Sequence, residues 1–124
     1  MTASPSAFFS MAELAIRWQC PVHKVVDAAI LGQLRVFIGI SPVTCGHQRI
    51  GGLVQVNVGD MLPMFRRTGP SDETTTLRRI APYEGGEWIY ITEPAAGLVI
   101  RSIDLLVPGQ DVQRYEDERD ILRR

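Results

Sequence analysis

Apolar residues first recur at helical spacing between Met11 and Trp18. Met11, Leu14, Ala15 and Trp18 fall at i, i+3, i+4 and i+7, one face of an α-helix. Ser10 stands where an N-cap belongs. Glu13 lies three residues on, so each side chain can satisfy the other's backbone N–H in a capping box. Phe9 and Leu14 have the spacing of a hydrophobic staple. Pro21 suits the first position of a second helix, where an N–H has no partner, and Gly32 suits the C′ position that closes it.

Beyond Gly32 the period changes. Residues 35–40 are β-branched and aromatic and predict a strand. Residues 41–52 collect proline, glycine and polar residues and read as a loop. Leu53 to Val58 alternates, with Val54, Val56 and Val58 on one side of a half-buried strand and Gln55 and Asn57 on the other. Gly59-Asp60 turns the chain. Residues 61–65 are apolar but interrupted by Pro63, so the pattern assigns them no state. Residues 68–74 read as a loop, 75–81 as an edge strand, and 88–92 and 98–103 as strands joined by the hairpin-like Glu93-Pro94-Ala95-Ala96-Gly97. A short strand is expected over 105–107. A last helix is expected from Gln110 to Leu122, with Val112, Tyr115, Arg119 and Leu122 on one face and the Arg119 stem lying across it. Asp111 near its start and Arg123 and Arg124 at its end suit the helix dipole. This is an α+β pattern.

Residues 13–34, ELAIRWQCPVHKVVDAAILGQL, resemble the opening of MerR-type and excisionase-type helix-turn-helix domains. Leu14-Ala15, Cys20, Val25, Ala29 and Gly32-Gln33-Leu34 stand in the places of that pattern. Residues 105–115 resemble the strand and helix that return from the family's wing. The resemblance implies one winged-helix-like domain over 1–124: a disordered arm (1–7), a helix-turn-helix with the first wing strand (10–40), a β-rich insertion that expands the wing into an antiparallel sheet (41–103), and a returning strand with the C-terminal helix (104–124).

The same resemblance implies a function. The second helix of such domains enters the major groove of double-stranded DNA. Val25, Ala28 and Ala29 would then face the core. Val22, His23, Val26, Asp27 and Ile30 would face the groove, with Lys24 near the helix start. Arg35 would hold phosphate, as would wing arginines: Arg66-Arg67 and Arg78-Arg79 bracket a threonine-rich loop and stand as wing-tip phosphate candidates, with solvated arginines as the simpler reading. The expected protein is a small dimeric DNA-binding regulator.

The groove-facing residues complicate that expectation. Val22, Val26 and Ile30 form an apolar row that makes no hydrogen bonds to base edges, and Asp27 would repel phosphate. A helix apolar on nearly every side is usually buried on nearly every side. The alternative is a protein-interaction or dimerisation module that keeps the fold and uses Val22, Val26 and Ile30 as its contact face.

Charge sharpens the alternative. The net charge is −1 over 124 residues. Residues 1–40 carry +1, residues 41–103 carry 0 and residues 104–124 carry −2, so no segment forms the basic stripe that phosphate neutralisation calls for. The acidic run Glu116-Asp117-Glu118 alternates with arginines and reads as a solvated face. An apolar fraction of 45% and a charged fraction of 22% are ordinary for a soluble globular chain. No apolar run is long enough to span a bilayer and no leader pattern precedes a cleavage site, so a cytoplasmic protein is expected, with no membrane partner.

Candidate chemistry is sparse. Cys20-x-x-His23 and Cys45-x-His47 do not have the spacings of a zinc site, and no orienting group makes them a nucleophilic pair. Gly51-Gly52 and Gly85-Gly86 lack the lysine and hydroxyl residue of a phosphate loop. No catalytic residue, metal or cofactor is expected.

Overall fold

A computed structural model describes residues 7–119. The chain is α+β with an antiparallel sheet. A short strand β1 (Phe8–Ser10) leads directly into α1 (Met11–Arg17), and α2 (Val22–Ile30) follows. Ser10 caps α1 as its spacing predicts: its N–H donates to Glu13 Oε1 at 2.8 Å, and the Glu13 N–H donates to Ser10 Oγ at 3.1 Å. Met11 and Leu14 are buried, and Phe9, Ala15 and Trp18 pack against the core. Pro21 is the N-cap of α2 and not its first helical residue, in the extended conformation at φ −64°, ψ 150°.

The four-stranded sheet has the order β1-β8-β2-β3, formed by β1, β8 (Leu106–Pro108), β2 (Phe37–Cys45) and β3 (Gln48–Gln55). Phe8 to Ser10 pair with Pro108 to Leu106, and Phe37 pairs with Leu106. The expected loop over 41–52 is instead the tip of a long hairpin, β2 and β3, turning at Gly46-His47. Pro42 and Gly51, which suggested a loop, lie at a β-bulge between Ile40 and Val43, and Gly46 lies in the turn. A bulge tolerates a proline within a strand. Gly51 lies under Pro42 so closely that an added Cβ would sit 2.9 Å from its backbone.

Residues 58–65 take a form the pattern left open. Val58–Met64 is a 3-10 helix containing Pro63, capped by Asn57, whose Oδ1 accepts from the Gly59 N–H. Val54, Val56 and Val58 are buried as their alternation predicts, although the strand itself stops at Gln55.

The remaining strands pair unlike the expected hairpin. The edge strand expected over 75–81 divides into β4 (Thr74–Leu77) and β5 (Arg79–Ile80). β4 pairs with β7 (Leu98–Arg101), and β5 pairs with β6 (Ile89–Tyr90). Residues 93–97 therefore pass between two small sheets and do not join two paired strands. A second 3-10 turn, Ser102–Asp104, leads into β8, and α3 (Gly109–Arg119) follows. Leu122, Arg123 and Arg124 lie outside the described residues, as does most of the expected arm.

One apolar cluster links these parts. It takes Leu14 from α1, Val25 and Ala28 from α2, Ile38 and Val54 from the hairpin, Met61 and Met64 from the first 3-10 helix, Leu77 and Ile100 from β4 and β7, and Val112 from α3. The boundary proposed at residue 41 falls inside β2, so the sheet joins the flanking segment to the region read as an insertion.

Candidate functional site

The residues expected to face a groove or a partner lie mostly on α2, and they have different fates. Val25 and Ala28 are buried, as expected for core positions. Val26 is also buried, at 2% exposure, which corrects its assignment to an outward face. The cause is the segment after β3: the 3-10 helix over Val58–Met64 packs against α2 and adds Met61 and Met64 to the same core. Val22 is half-buried and lines a concavity with Met11, Met64 and Phe65. Ile30, at 48% exposure, is the one member of the Val22, Val26, Ile30 row that stands open. The row is therefore not a continuous apolar face.

The charged candidates are largely engaged within the chain. Arg67 Nη2 donates to both carboxylate oxygens of Asp27 at 2.6 Å. The acid that would have repelled phosphate is thus neutralised by an arginine that was expected to bind it. Arg66 lies 3.8 Å from Asp72. Arg35 donates its backbone N–H to Asp111 Oδ2 at 2.8 Å, and its Nη2 to Asp111 Oδ1 at 2.8 Å. Lys24 is exposed and His23 half-buried. Among the described residues, Lys24, Arg49 and Arg78 are the cations outside these ion pairs.

Two acids of α3 that the sequence placed at the surface, or at a helix start alone, turn out to be buried anchors. Asp111 is 0% exposed and Glu116 is 6% exposed. Glu116 accepts from Arg17 Nη2 at 3.0 Å and from Trp18 Nε1 at 2.6 Å. It is therefore no part of a solvated face, while Asp117 and Glu118 are exposed. Tyr115 stacks on Trp18 with ring centroids 4.8 Å apart, and the Arg119 guanidinium lies 3.9 Å from the Tyr115 centroid. Burial by itself would raise both carboxyl pKa values. Hydrogen bonds and charge from Arg35 outweigh it at Asp111, and those from Arg17 with the Trp18 hydrogen bond outweigh it at Glu116, so both end below their ordinary range. These two acids clamp α3 onto the end of α1 and onto the segment between α2 and β2.

On β5 and β6, Arg79 and Tyr90 are direct cross-strand partners. Arg79 Nε and Nη2 donate to Asp60 at 2.7 and 3.0 Å, and its guanidinium lies 5.8 Å from the Trp88 ring centroid. Trp88 is 37% and Tyr90 64% exposed. Trp88 and Ile30 line one concavity. Asp60, Thr75, Thr76, Arg78, Arg79 and Tyr90 line the neighbouring one. The sequence singled out Arg78-Arg79 as phosphate candidates, but not their neighbours Asp60, Trp88 and Tyr90, because that grouping depends on the register of two two-residue strands.

The other chemistry is limited. Cys45 is buried, and desolvation raises its thiol pKa. No three His, Cys, Asp or Glu side chains among the described residues are placed to hold a metal ion. A concavity of about 630 Å³ runs between Ile38–Val43 and the β7 side. Its acid, Asp104, is already paired with Arg101. No described helix is long and apolar enough to cross a membrane. No family model, no curated protein and no solved structure matches this chain.

Proposed function

We propose that this chain is a small protein-interaction module whose contact surface is the face around Trp88 and Tyr90, with Ile30 at its border. One contrast supports the reading. The α2 face that would have read DNA is occupied by the chain itself, with Val26 buried and Asp27 paired to Arg67. Trp88 and Tyr90, in contrast, stand open beside the half-buried Arg79. Trp, Tyr and Arg are the residue types that carry most of the energy in protein interfaces, because each combines large contact area with a directional polar group. A DNA-binding regulator is the alternative. It would rest on Lys24, which is exposed and outside the ion pairs of the described residues.

Photo-crosslinking separates the two. A benzoylphenylalanine placed at Tyr90 is expected to give a discrete cross-linked protein in cells, and the same group at Lys24 is expected to give none. In parallel, anisotropy against random duplex DNA is expected to show no binding that weakens with salt. A steep salt dependence lost in Lys24→Ala, with no cross-link from position 90, would overturn the reading in favour of DNA.

A further inference from the structure

The concavity beside Trp88 has a volume of about 550 Å³ and a polar lining: Asp60, Thr75, Thr76, Arg78, Arg79 and Tyr90. We infer that it is a binding site for an anionic oxygen group, a phosphate or a carboxylate, presented by a ligand or by a partner's side chain. The inference deepens the interaction reading and rests on it for the biological source of the group.

Three observations carry it. The first is Arg79, which is held in place before any ligand arrives. Asp60 takes its Nε and Nη2 hydrogens, and Trp88 lies against its guanidinium. Its Nη1 has no hydrogen-bond partner among the described residues. A guanidinium fixed on one edge and open on the other loses little conformational freedom when it donates again. The second is Arg78. It is exposed, lines the same concavity, and makes no ion pair or side-chain hydrogen bond among the described residues. Arg49, another unpaired arginine, already donates to the Thr44 hydroxyl and the Pro42 carbonyl. The third is the balance of charge and donors. Two arginines against one carboxylate leave the lining with a net positive charge, in a chain whose net charge is −1. The hydroxyl-bearing residues Thr75, Thr76 and Tyr90 add donors beside it. Asp60 does not make it a cation site, because both its oxygens already accept from Arg79. Charge-assisted hydrogen bonds from arginine to an oxyanion are short and about twice as strong as neutral ones.

The test is a titration followed by amide chemical shifts, with inorganic phosphate and, separately, with acetate, both at fixed ionic strength. Saturable shifts confined to residues 75–79 and 90 are expected, with a dissociation constant of about 1–10 mM for so small a probe. Arg78→Gln, an exposed position, should weaken the response about tenfold, while Arg49→Gln should leave it unchanged. Saturation by phosphate alone assigns a phosphate ligand, and saturation by acetate assigns a carboxylate. Saturation by neither, or an undiminished response in Arg78→Gln, overturns the site. A null titration with the Tyr90 cross-link intact removes the anion site and leaves the interaction module. Saturable binding with no cross-link removes the module and leaves the site.

Discussion

The chain uses the same pairing, arginine with a carboxylate, in two regions to different ends. At the helical end, Arg17–Glu116 joins α3 to α1 and Arg35–Asp111 joins it to the segment between α2 and β2, and the acids are 6% and 0% exposed. On the exposed surface, Arg67–Asp27 and Arg79–Asp60 fall in the same range of distance, but their acids are 38% and 34% exposed. Distance does not separate the two sets; solvent does. A carboxylate out of water relies on its arginine to balance its charge, so removing that partner leaves a buried charge that water does not reach. An exposed carboxylate exchanges its arginine for water at little cost. The first set is therefore structural. The second leaves polar groups at the surface, where a ligand can compete for them.

The largest test of this difference is a matched pair of truncations. Arg17→Ala, which strands the buried Glu116 carboxylate, is expected to cost about 3 kcal/mol of unfolding free energy. Arg67→Ala, which frees the exposed Asp27, is expected to cost less than about 1 kcal/mol. Urea denaturation followed by circular dichroism measures both. Equal losses would erase the distinction drawn from burial.

Acid sharpens the same comparison at a smaller scale. Asp111 and Glu116 have pKa values held below their ordinary 3.8 and 4.5 in the folded chain. A depressed carboxyl pKa contributes stability that is present above the unfolded value and lost as pH falls through the folded one. The urea midpoint is expected to stay level from neutral pH down to about 5, and to fall below about 4.5 as these acids protonate. An Asp111→Asn, Glu116→Gln double variant should start lower and lose part of that slope. If the slope is unchanged in the double variant, other acids set it.

How much of this was legible in the sequence follows from the range of the interactions. The Ser10–Glu13 capping box, the Met11–Leu14 face and the buried valines at 54, 56 and 58 depend on neighbours within a turn or within a strand, and periodicity finds them. The Ser41–Gly52 segment misled because a bulge and a loop share their composition. Only the pairing of Val43 with Ile50 and of Ile40 with Gly52 tells them apart. Val26 carried one mark of burial, a helix apolar on nearly every side, but not what buries it, since the 3-10 helix packed against α2 lies more than thirty positions away in the chain. Glu116 sat in a run of acids that reads as solvated, and its partners Arg17 and Trp18 lie 99 and 98 residues distant. Arg78-Arg79 stood out as a basic pair, but its association with Asp60, Trp88 and Tyr90 was invisible for the same reason. The parts of that face are separated by a turn whose length the pattern does not set.

The finest comparison is between the ends of the two N-terminal helices, which close with the same hydrogen bonds on different residues. After α2, the Gln33 N–H donates to Ala28 O and the Gly32 N–H to Ala29 O, each at 3.0 Å, with Gly32 at φ +80°. After α1, the Cys20 N–H donates to Ala15 O at 3.0 Å and the Gln19 N–H to Ile16 O at 3.2 Å, with Gln19 at φ +51°. Both are Schellman closures, and a left-handed residue at C′ is common to them. Glycine takes that conformation without a Cβ penalty, whereas glutamine does not. An added Cβ at Gly32 would meet nothing within 4 Å, so Gly32→Ala isolates backbone strain and is expected to cost about 1 kcal/mol. Gln19→Gly removes the strain at the other end, but it also loosens the unfolded chain. The gain is expected to be about 0.5 kcal/mol. A destabilising Gln19→Gly would mean that the glutamine side chain contributes more at this corner than its backbone conformation costs. The turn between the two helices would then be held by its side chains as well as by its closing hydrogen bonds.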